Sequence, residues 1–131
     1  MLTRKKRKNY PKNPRKRMHE VSIALSLLDI AEQHCKKEGY KGIESIAVKI
    51  GKASGVMPEA LLFAFDAVKL GTLAENAHLK IEEIPVSGYC SNCKNFFSVD
   101  ETFVLFCPKC GDTAFRLVSG RELDIIELDV F

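Results

Sequence analysis

The feature that most constrains this chain is a pair of Cys-x-x-Cys motifs in its C-terminal half. The motifs Cys90-Ser-Asn-Cys93 and Cys107-Pro-Lys-Cys110 are separated by 13 residues. Two residues between cysteines let both thiolates point to one side of a tight turn, and two facing turns bring four sulfurs into a tetrahedron. The spacing therefore predicts a four-cysteine metal site, for which zinc is the favoured ion. An iron site or a redox-active thiol pair is the remaining alternative.

The predicted zinc has a structural role. Four thiolates complete the coordination shell and leave no position for water or substrate, and their negative charge weakens the metal as a Lewis acid. Gly111 directly follows the last cysteine and permits the positive φ that such a turn often needs. Because few apolar residues surround the motifs, we expect metal binding to fold most of residues 88–120. The expected small core beneath the two turns consists of Phe96, Phe97, Phe103 and Phe106.

Residues 1–17 differ sharply in charge from the rest of the chain. They contain nine Lys or Arg residues and no acidic residue, which leaves eleven basic against seventeen acidic residues in the remainder, a net charge of −6. A segment this basic, with interspersed Asn and Pro, predicts a disordered extension. We expect it to be dispensable, with translation starting at Met18. The alternative function is a zinc-ribbon nucleic-acid-binding protein that uses this arm to neutralise phosphates.

Length and hydropathy narrow the class of protein further. The chain has 131 residues and is 46% hydrophobic, which suits one domain with a small appended module. No apolar run reaches the roughly 18 residues of a membrane span. The N-terminus also lacks the apolar segment of a secretory signal. These features predict a cytoplasmic protein that does not bind membranes.

Apolar periodicity before the cysteines predicts two helices and two strands. The first helix spans residues 20–37 and is followed by an alternating strand over residues 43–50. The second helix begins at Pro58, where a missing N–H costs nothing, and ends at Gly71; a second strand covers residues 79–86. The inward positions predicted for the first helix are Val21, Ala24, Leu25, Leu28, Ala31 and Cys35. Those predicted for the second helix are Leu61, Leu62, Phe65 and Val68.

A third strand follows the cysteine motifs. Residues 123–130 alternate, with Ile126, Leu128 and Val130 on one face, and this strand must return to the first two to bury that face. The predicted fold is therefore α+β, with two helices on a small three-stranded sheet and a zinc-ribbon-like module inserted before the last strand. Residues 18–87 and 121–131 would form the α+β domain, and residues 88–120 the zinc-binding module.

The segment Met18-His19-Glu20-Val21-Ser22 opens the first helix and precedes the two cysteine motifs. In this order the chain resembles the hydrogenase nickel-incorporation metallochaperones of the HypA/HybF type, from Met18 to Phe131. Further shared features are Gly51, Gly55 and the helix start at Pro58–Phe65. The resemblance implies a non-enzymatic carrier that delivers Ni(II) during maturation of nickel–iron hydrogenase. It also implies as partners a GTPase maturation factor, the hydrogenase large subunit and, in some organisms, urease maturation proteins.

The resemblance further implies a nickel site at Met18, His19 and Glu20. The α-amine of Met18, with the backbone nitrogen and imidazole of His19, would close fused chelate rings that suit square-planar Ni(II). The resemblance also implies that the backbone nitrogen of Glu20 binds nickel, with its carboxylate as a less direct participant. In the 131-residue chain Met18 carries an amide, a far poorer donor than an amine. Strong nickel binding is therefore expected only from a chain that begins at Met18.

The remaining candidate residues are assigned structural or surface roles. We expect His34 and His78 to lie on the surface, because no motif surrounds them, and Cys35 to be a small core residue. No nucleophile–base pair or phosphate-binding glycine loop is visible, so any GTP-dependent step would belong to a partner. The sequence is compatible with either a monomer or a homodimer.

Overall fold

The computed structural model describes the backbone of residues 3–5 and, in full, residues 20–131. The strands form two sheets, one of four strands in the order β1-β7-β2-β3 and one of three in the order β5-β4-β6. The predicted α+β class is confirmed. In chain order the elements are β1 Thr3–Lys5, α1 Glu20–Glu38, β2 Ile43–Gly51, α2 Pro58–Val68, β3 His78–Ile84, β4 Val86–Cys90, β5 Asn95–Val99, β6 Phe115–Ser119 and β7 Leu123–Val130.

Strand β2 is central in the four-stranded sheet. It pairs with β3 in parallel, from Ser45 opposite His78 to Gly51 opposite Ile84. A parallel pair requires a crossover connection, which α2 provides. On its other side β2 pairs antiparallel with β7, the strand that follows the cysteine motifs. The prediction that this last strand returns to the first two is confirmed.

The fourth strand, β1, was not expected from the composition of the basic extension. The backbone of Thr3–Lys5 pairs antiparallel with β7, with Thr3 opposite Val130 and Lys5 opposite Leu128. Residues 1–2 and 6–19 lie outside the described residues, so the predicted disorder of the extension is not addressed there.

The main core lies between the two helices and the four-stranded sheet. Phe65 of α2, Ile23 and Leu27 of α1 and Ile46 of β2 are among its fully buried side chains. Such burial of large apolar groups stabilises a domain by about 1.5–3 kcal/mol per side chain.

The buried face of α1 is rotated from the predicted one. Val21 and Leu25 are half exposed, whereas Ile23 and Leu27 are fully buried. The helix carries apolar residues around much of its circumference, so the contacts with α2 and the sheet select the buried side. Cys35 is fully buried as predicted.

Helix α2 is shorter than predicted and buries fewer of the expected residues. It ends at Val68, where the Lys69 N–H donates to the Phe65 carbonyl at 3.0 Å. Leu61 and Phe65 are buried as expected, and Val68 is partly buried. The prediction was wrong for Leu62, which is 39% exposed.

A β-bulge in β7 changes which of its side chains are buried from those predicted. The register with β2 shifts so that Glu127 lies opposite Ala47 and Ile125 opposite Val48, leaving Ile126 as the extra residue. An extra residue reverses the alternation of side chains along a strand. Ile125 is therefore buried, and Ile126 is partly exposed, contrary to the prediction.

The two sheets meet at the end of β2. The Gly51 N–H donates to the Glu122 carbonyl at 2.9 Å, and the Ala53 N–H donates to the Gly120 carbonyl at 2.6 Å. A Cβ at Gly51 would overlap the backbone of Gly120 and Arg121. Glycine therefore permits the chain leaving the small sheet to cross β2 closely. Within the described ranges, no helix has the length and apolar character needed to cross a lipid bilayer.

Candidate metal centre

The first cysteine turn closes the hairpin between β4 and β5. Cys90 is the last residue of β4 and pairs with Asn95, the first residue of β5. Lys94 has a φ of 59°, the left-handed conformation that lets the chain reverse within four residues. The Asn95 side chain donates to the Cys93 carbonyl at 3.2 Å. The hairpin geometry thus turns Cys90 and Cys93 toward the same side.

The second cysteine turn precedes β6. The Gly111 N–H donates to the Cys107 carbonyl at 2.8 Å, and the Cys107 N–H donates to the Asp112 carbonyl at 2.8 Å. Gly111 has a φ of 80°, which confirms the positive φ predicted at this position. The Lys109 N–H also points at the Cys107 Sγ, 3.4 Å away.

Two residues inside the first turn join it to the second. The Ser91 N–H and hydroxyl both donate to the Ala114 carbonyl, at 2.8 and 2.9 Å. The Asn92 Nδ2 lies 3.5 Å from the Cys110 Sγ. Sequence reasoning did not identify these supporting contacts. The presence of two short polar residues between the first two cysteines is the signal that could have suggested them.

The structure brings the four cysteine sulfurs together. All four Sγ atoms lie within 4.8 Å of one another. The Cys90 and Cys110 sulfurs are 3.6 Å apart, and those of Cys93 and Cys107 are 3.8 Å apart. A tetrahedral zinc–thiolate site with bonds of about 2.3 Å places its sulfurs about 3.8 Å apart. The cluster therefore fits a tetrahedral metal site that has protein ligands at all four positions.

The electrostatics of the cluster differ between its buried and exposed members. Hydrogen bonding from the Asn92 side chain, and then from the Asp112 backbone, lowers the pKa of the exposed Cys110 to about 7. The backbone N–H of Cys93 acts to lower the pKa of Cys90, but burial and hydrogen bonds with neighbouring thiols outweigh it and raise this pKa to about 11. Four thiolates at this spacing repel one another, and a divalent cation removes that penalty.

The small core beneath the turns contains only one of the four predicted phenylalanines. Phe97 is 5% exposed and packs with Cys90 and Cys107, and its ring meets Phe115 edge-on at 5.8 Å. The prediction was wrong for three others, which are mostly exposed: Phe96, Phe103 and Phe106. Successive residues of a strand point to opposite faces, so Phe96 lies on the outer face and contacts Tyr89 instead.

Of the predicted nickel residues, Met18 and His19 lie outside the described residues. Glu20 is the first residue of α1, and its Oε2 accepts a hydrogen bond from the Met57 N–H at 3.1 Å. His78 is exposed as predicted. His34, predicted to be on the surface, is buried because the inward face of α1 includes it.

Comparisons with known proteins agree with this geometry. A family model described as hydrogenase/urease nickel incorporation, metallochaperone, hypA, matches residues 18–130. The hydrogenase maturation factor HypA of Geobacter sulfurreducens is 43% identical over 113 residues, which span 86% of this chain and 99% of that protein. The hydrogenase maturation factor HypA of Roseiflexus sp. (strain RS-1) is 39% identical over 112 residues, spanning 86% of this chain and 91% of that protein.

Solved structures show the same similarity. The solution structure of the Ni metallochaperone HypA from Helicobacter pylori matches with a TM-score of 0.62 and 28% identity, covering 87% of this chain and 98% of that one. The family match does not favour the nucleic-acid-binding alternative. This chain belongs to the HypA family of hydrogenase and urease nickel-incorporation metallochaperones, which are maturation factors and not enzymes.

Proposed function

We propose that this protein binds Ni(II) at a chain start formed by Met18, His19 and Glu20 and delivers it during maturation of nickel–iron hydrogenase. The observation that carries this proposal is the match to a nickel-incorporation family, which begins at residue 18. Additional support comes from the G. sulfurreducens relative, because the 113 matched residues span 99% of that protein. Residues 18–87 with 121–131 would form the nickel-binding domain, and residues 88–120 the zinc-binding module.

The four cysteines hold structural zinc in this proposal. The sulfur–sulfur distances of 3.6 and 3.8 Å support a tetrahedral zinc–thiolate site. Two of the four ligands, Cys90 and Cys107, are fully buried, which suits a metal that stays in place. Exchange of a delivered metal is better served by a site at the end of a chain, and therefore by the Met18 region.

Nickel transfer requires a site that binds selectively and also releases. An α-amine, a deprotonated backbone nitrogen and an imidazole form a planar nitrogen set that favours Ni(II). Protons compete with nickel for the imidazole of His19, because an ordinary histidine side chain has a pKa of about 6.5. The hydrolysis of GTP would belong to a GTPase partner, and the recipients would be the hydrogenase large subunit and, in some organisms, urease maturation proteins.

Nickel titration of a chain that begins at Met18 tests the site. We expect the zinc-loaded protein to bind about one additional nickel ion. His19→Ala should weaken nickel binding by about 100-fold or more, because changes outside the ligand shell alone typically cost about 10–100-fold. Isothermal titration calorimetry gives the affinity, and elemental analysis should show unchanged zinc content.

The exposed His78 provides a matched control. His78→Ala should retain nickel affinity, and the 131-residue chain should bind more weakly than the chain starting at Met18. Nickel affinity should also decrease as the pH falls below about 6.5, because the protonated imidazole cannot coordinate metal. Full affinity in His19→Ala, or constant affinity from mildly acidic to neutral pH, would show that the site is elsewhere.

A further inference from the structure

The carboxylate of Glu20 is engaged with the second helix. Its Oε2 accepts a hydrogen bond from the backbone N–H of Met57, 37 positions later in the chain, at 3.1 Å. Met57 is the N-cap residue of α2, with φ −91° and ψ 113°. Glu20 itself is in the first turn of α1. One carboxylate therefore lies at the N-termini of both helices, where their positive dipole ends favour a negative charge.

Helix α2 lacks the usual capping residues of its own. Methionine has no oxygen with which to cap, and the Met57 side chain makes no capping bond. In a capping box, the glutamate at the third helical position accepts a hydrogen bond from the N-cap N–H. In α2 that position is Ala60, which cannot do so. Glu20 performs this half of a capping box from a different helix.

We propose that the Glu20 carboxylate is a positioning group that anchors the nickel-binding chain start to α2, and that it is not a nickel ligand. This inference rests on the proposed function, in which nickel is bound at Met18 and His19. The backbone nitrogen of Glu20 remains available for nickel, because the hydrogen bond engages only the side chain. Anchoring the first turn of α1 restrains the segment that must be ordered for chelation, and preorganisation of this kind increases affinity.

Four variants of the chain starting at Met18 separate anchoring from coordination. Glu20→Ala removes the acceptor, whereas Glu20→Gln keeps an acceptor oxygen without the charge. Met57→Pro removes the N–H donor, and the φ of −91° at Met57 needs only a modest adjustment to reach the proline range of about −65°. Met57→Ala keeps the donor and is the matched control.

We expect Glu20→Ala and Met57→Pro each to weaken nickel binding by about 3- to 10-fold, the scale of one exposed charge-assisted hydrogen bond. Glu20→Gln should restore part of this loss, because its amide oxygen still accepts the hydrogen bond but carries no charge. Met57→Ala should bind like the parent. The double variant Glu20→Ala/Met57→Pro should bind no more weakly than the weaker single variant, because both changes remove the same contact. At saturating nickel, the ligand-field absorption should be identical in all variants.

Two results would overturn the inference. Coordination by the carboxylate would make Glu20→Gln as weak as Glu20→Ala, shift the absorption band, and leave Met57→Pro unaffected. Unchanged affinity in both Glu20→Ala and Met57→Pro would show that the contact has no role in nickel binding. His19→Ala is titrated in the same series; full nickel binding by that variant would reject the proposed site itself, and with it the premise of this inference.

Discussion

The two sheets of this protein are stabilised in different ways. Among the side chains described, the four-stranded sheet and its helices bury twenty residues in one apolar cluster. The corresponding cluster of the three-stranded sheet contains three buried residues, Cys90, Phe97 and Cys107, of which two are cysteines of the metal centre. We therefore expect burial of apolar surface to be sufficient to fold the first region, and we expect the second to depend on the free energy of metal binding.

This difference does not come from a lack of apolar residues in the small module. Phe103, Leu105 and Phe106 all precede the second cysteine turn, and each is more than half exposed. Neither α1 nor α2 makes a substantial contact with the strands of the three-stranded sheet, so it has few positions at which such side chains can be buried. The cysteines of the metal centre lie at the middle of this module, where a larger domain would have an apolar core.

Removal of zinc should produce the largest difference in stability between the three-stranded sheet and the four-stranded sheet with its helices. A strong chelator under reducing conditions should unfold β4–β6 while α1 and α2 remain folded, because zinc binding contributes on the order of 10–16 kcal/mol in small zinc domains. Amide hydrogen exchange should show lost protection in residues 86–119, with helical circular dichroism retained. Amide protection of β4 and β5 that persists after verified metal removal would contradict the dependence of this sheet on zinc. Adding zinc back should restore the protection.

Shortening a buried side chain of the large core should destabilise the helices and the four-stranded sheet. Phe65→Ala removes a ring that is 1% exposed and should lower the free energy of unfolding by about 3–5 kcal/mol. Denaturant unfolding followed by helical circular dichroism measures this loss, and zinc content should not change.

Phe63, on the same helix and 79% exposed, is the matched control. Phe63→Ala should change the free energy of unfolding by no more than about 0.5 kcal/mol. Equal losses in the two variants would mean that burial on α2 does not stabilise this region.

The smallest expected effect concerns Cys35, the cysteine outside the metal centre. Burial, followed by the nearby Glu32 carboxylate, raises the pKa of its thiol. A raised folded-state pKa stabilises the fold below the unfolded thiol pKa of about 8.5, and this contribution is lost as pH rises through the folded-state value. The stability difference between the parent and Cys35→Ala should therefore shrink between pH 8 and pH 10, by at most about 1.4 kcal/mol per unit of pKa difference.

Denaturant midpoints at the two pH values measure this change. Alkylation provides an independent check, because the buried thiol should react far more slowly than the exposed Cys110 after zinc removal. A stability difference that is the same at pH 8 and pH 10 would contradict the assignment of Cys35 as a thiol kept neutral by burial.

Local patterns predicted most of the elements and the metal cluster. Two residues between cysteines are enough to specify a turn with both sulfurs on one side, so the quartet could be identified before any fold was known. The alternation of residues 123–130 likewise identified β7 with its observed limits. The strands of the small sheet were missed because Gly88, Ser91 and Asn92 make that region look like a series of turns.

Which side of each element is buried was predicted less well. The sequence of α1 contains overlapping apolar stripes through Val21 and through Ile23, and only the position of α2 and the sheet distinguishes them. Neither could the bulge at Ile126 be predicted, because it depends on the partner strand and on the return of the chain at Gly120.

By itself, therefore, the sequence determined the four-cysteine metal site and the succession of helices and strands, because both depend on residues that are close along the chain. The tertiary structure alone decided which face of α1 is buried, that Phe97 and not Phe96 lies beneath the cysteines, and that Glu20 meets Met57. These contacts join residues from different elements, and their choice depends on how the whole core packs.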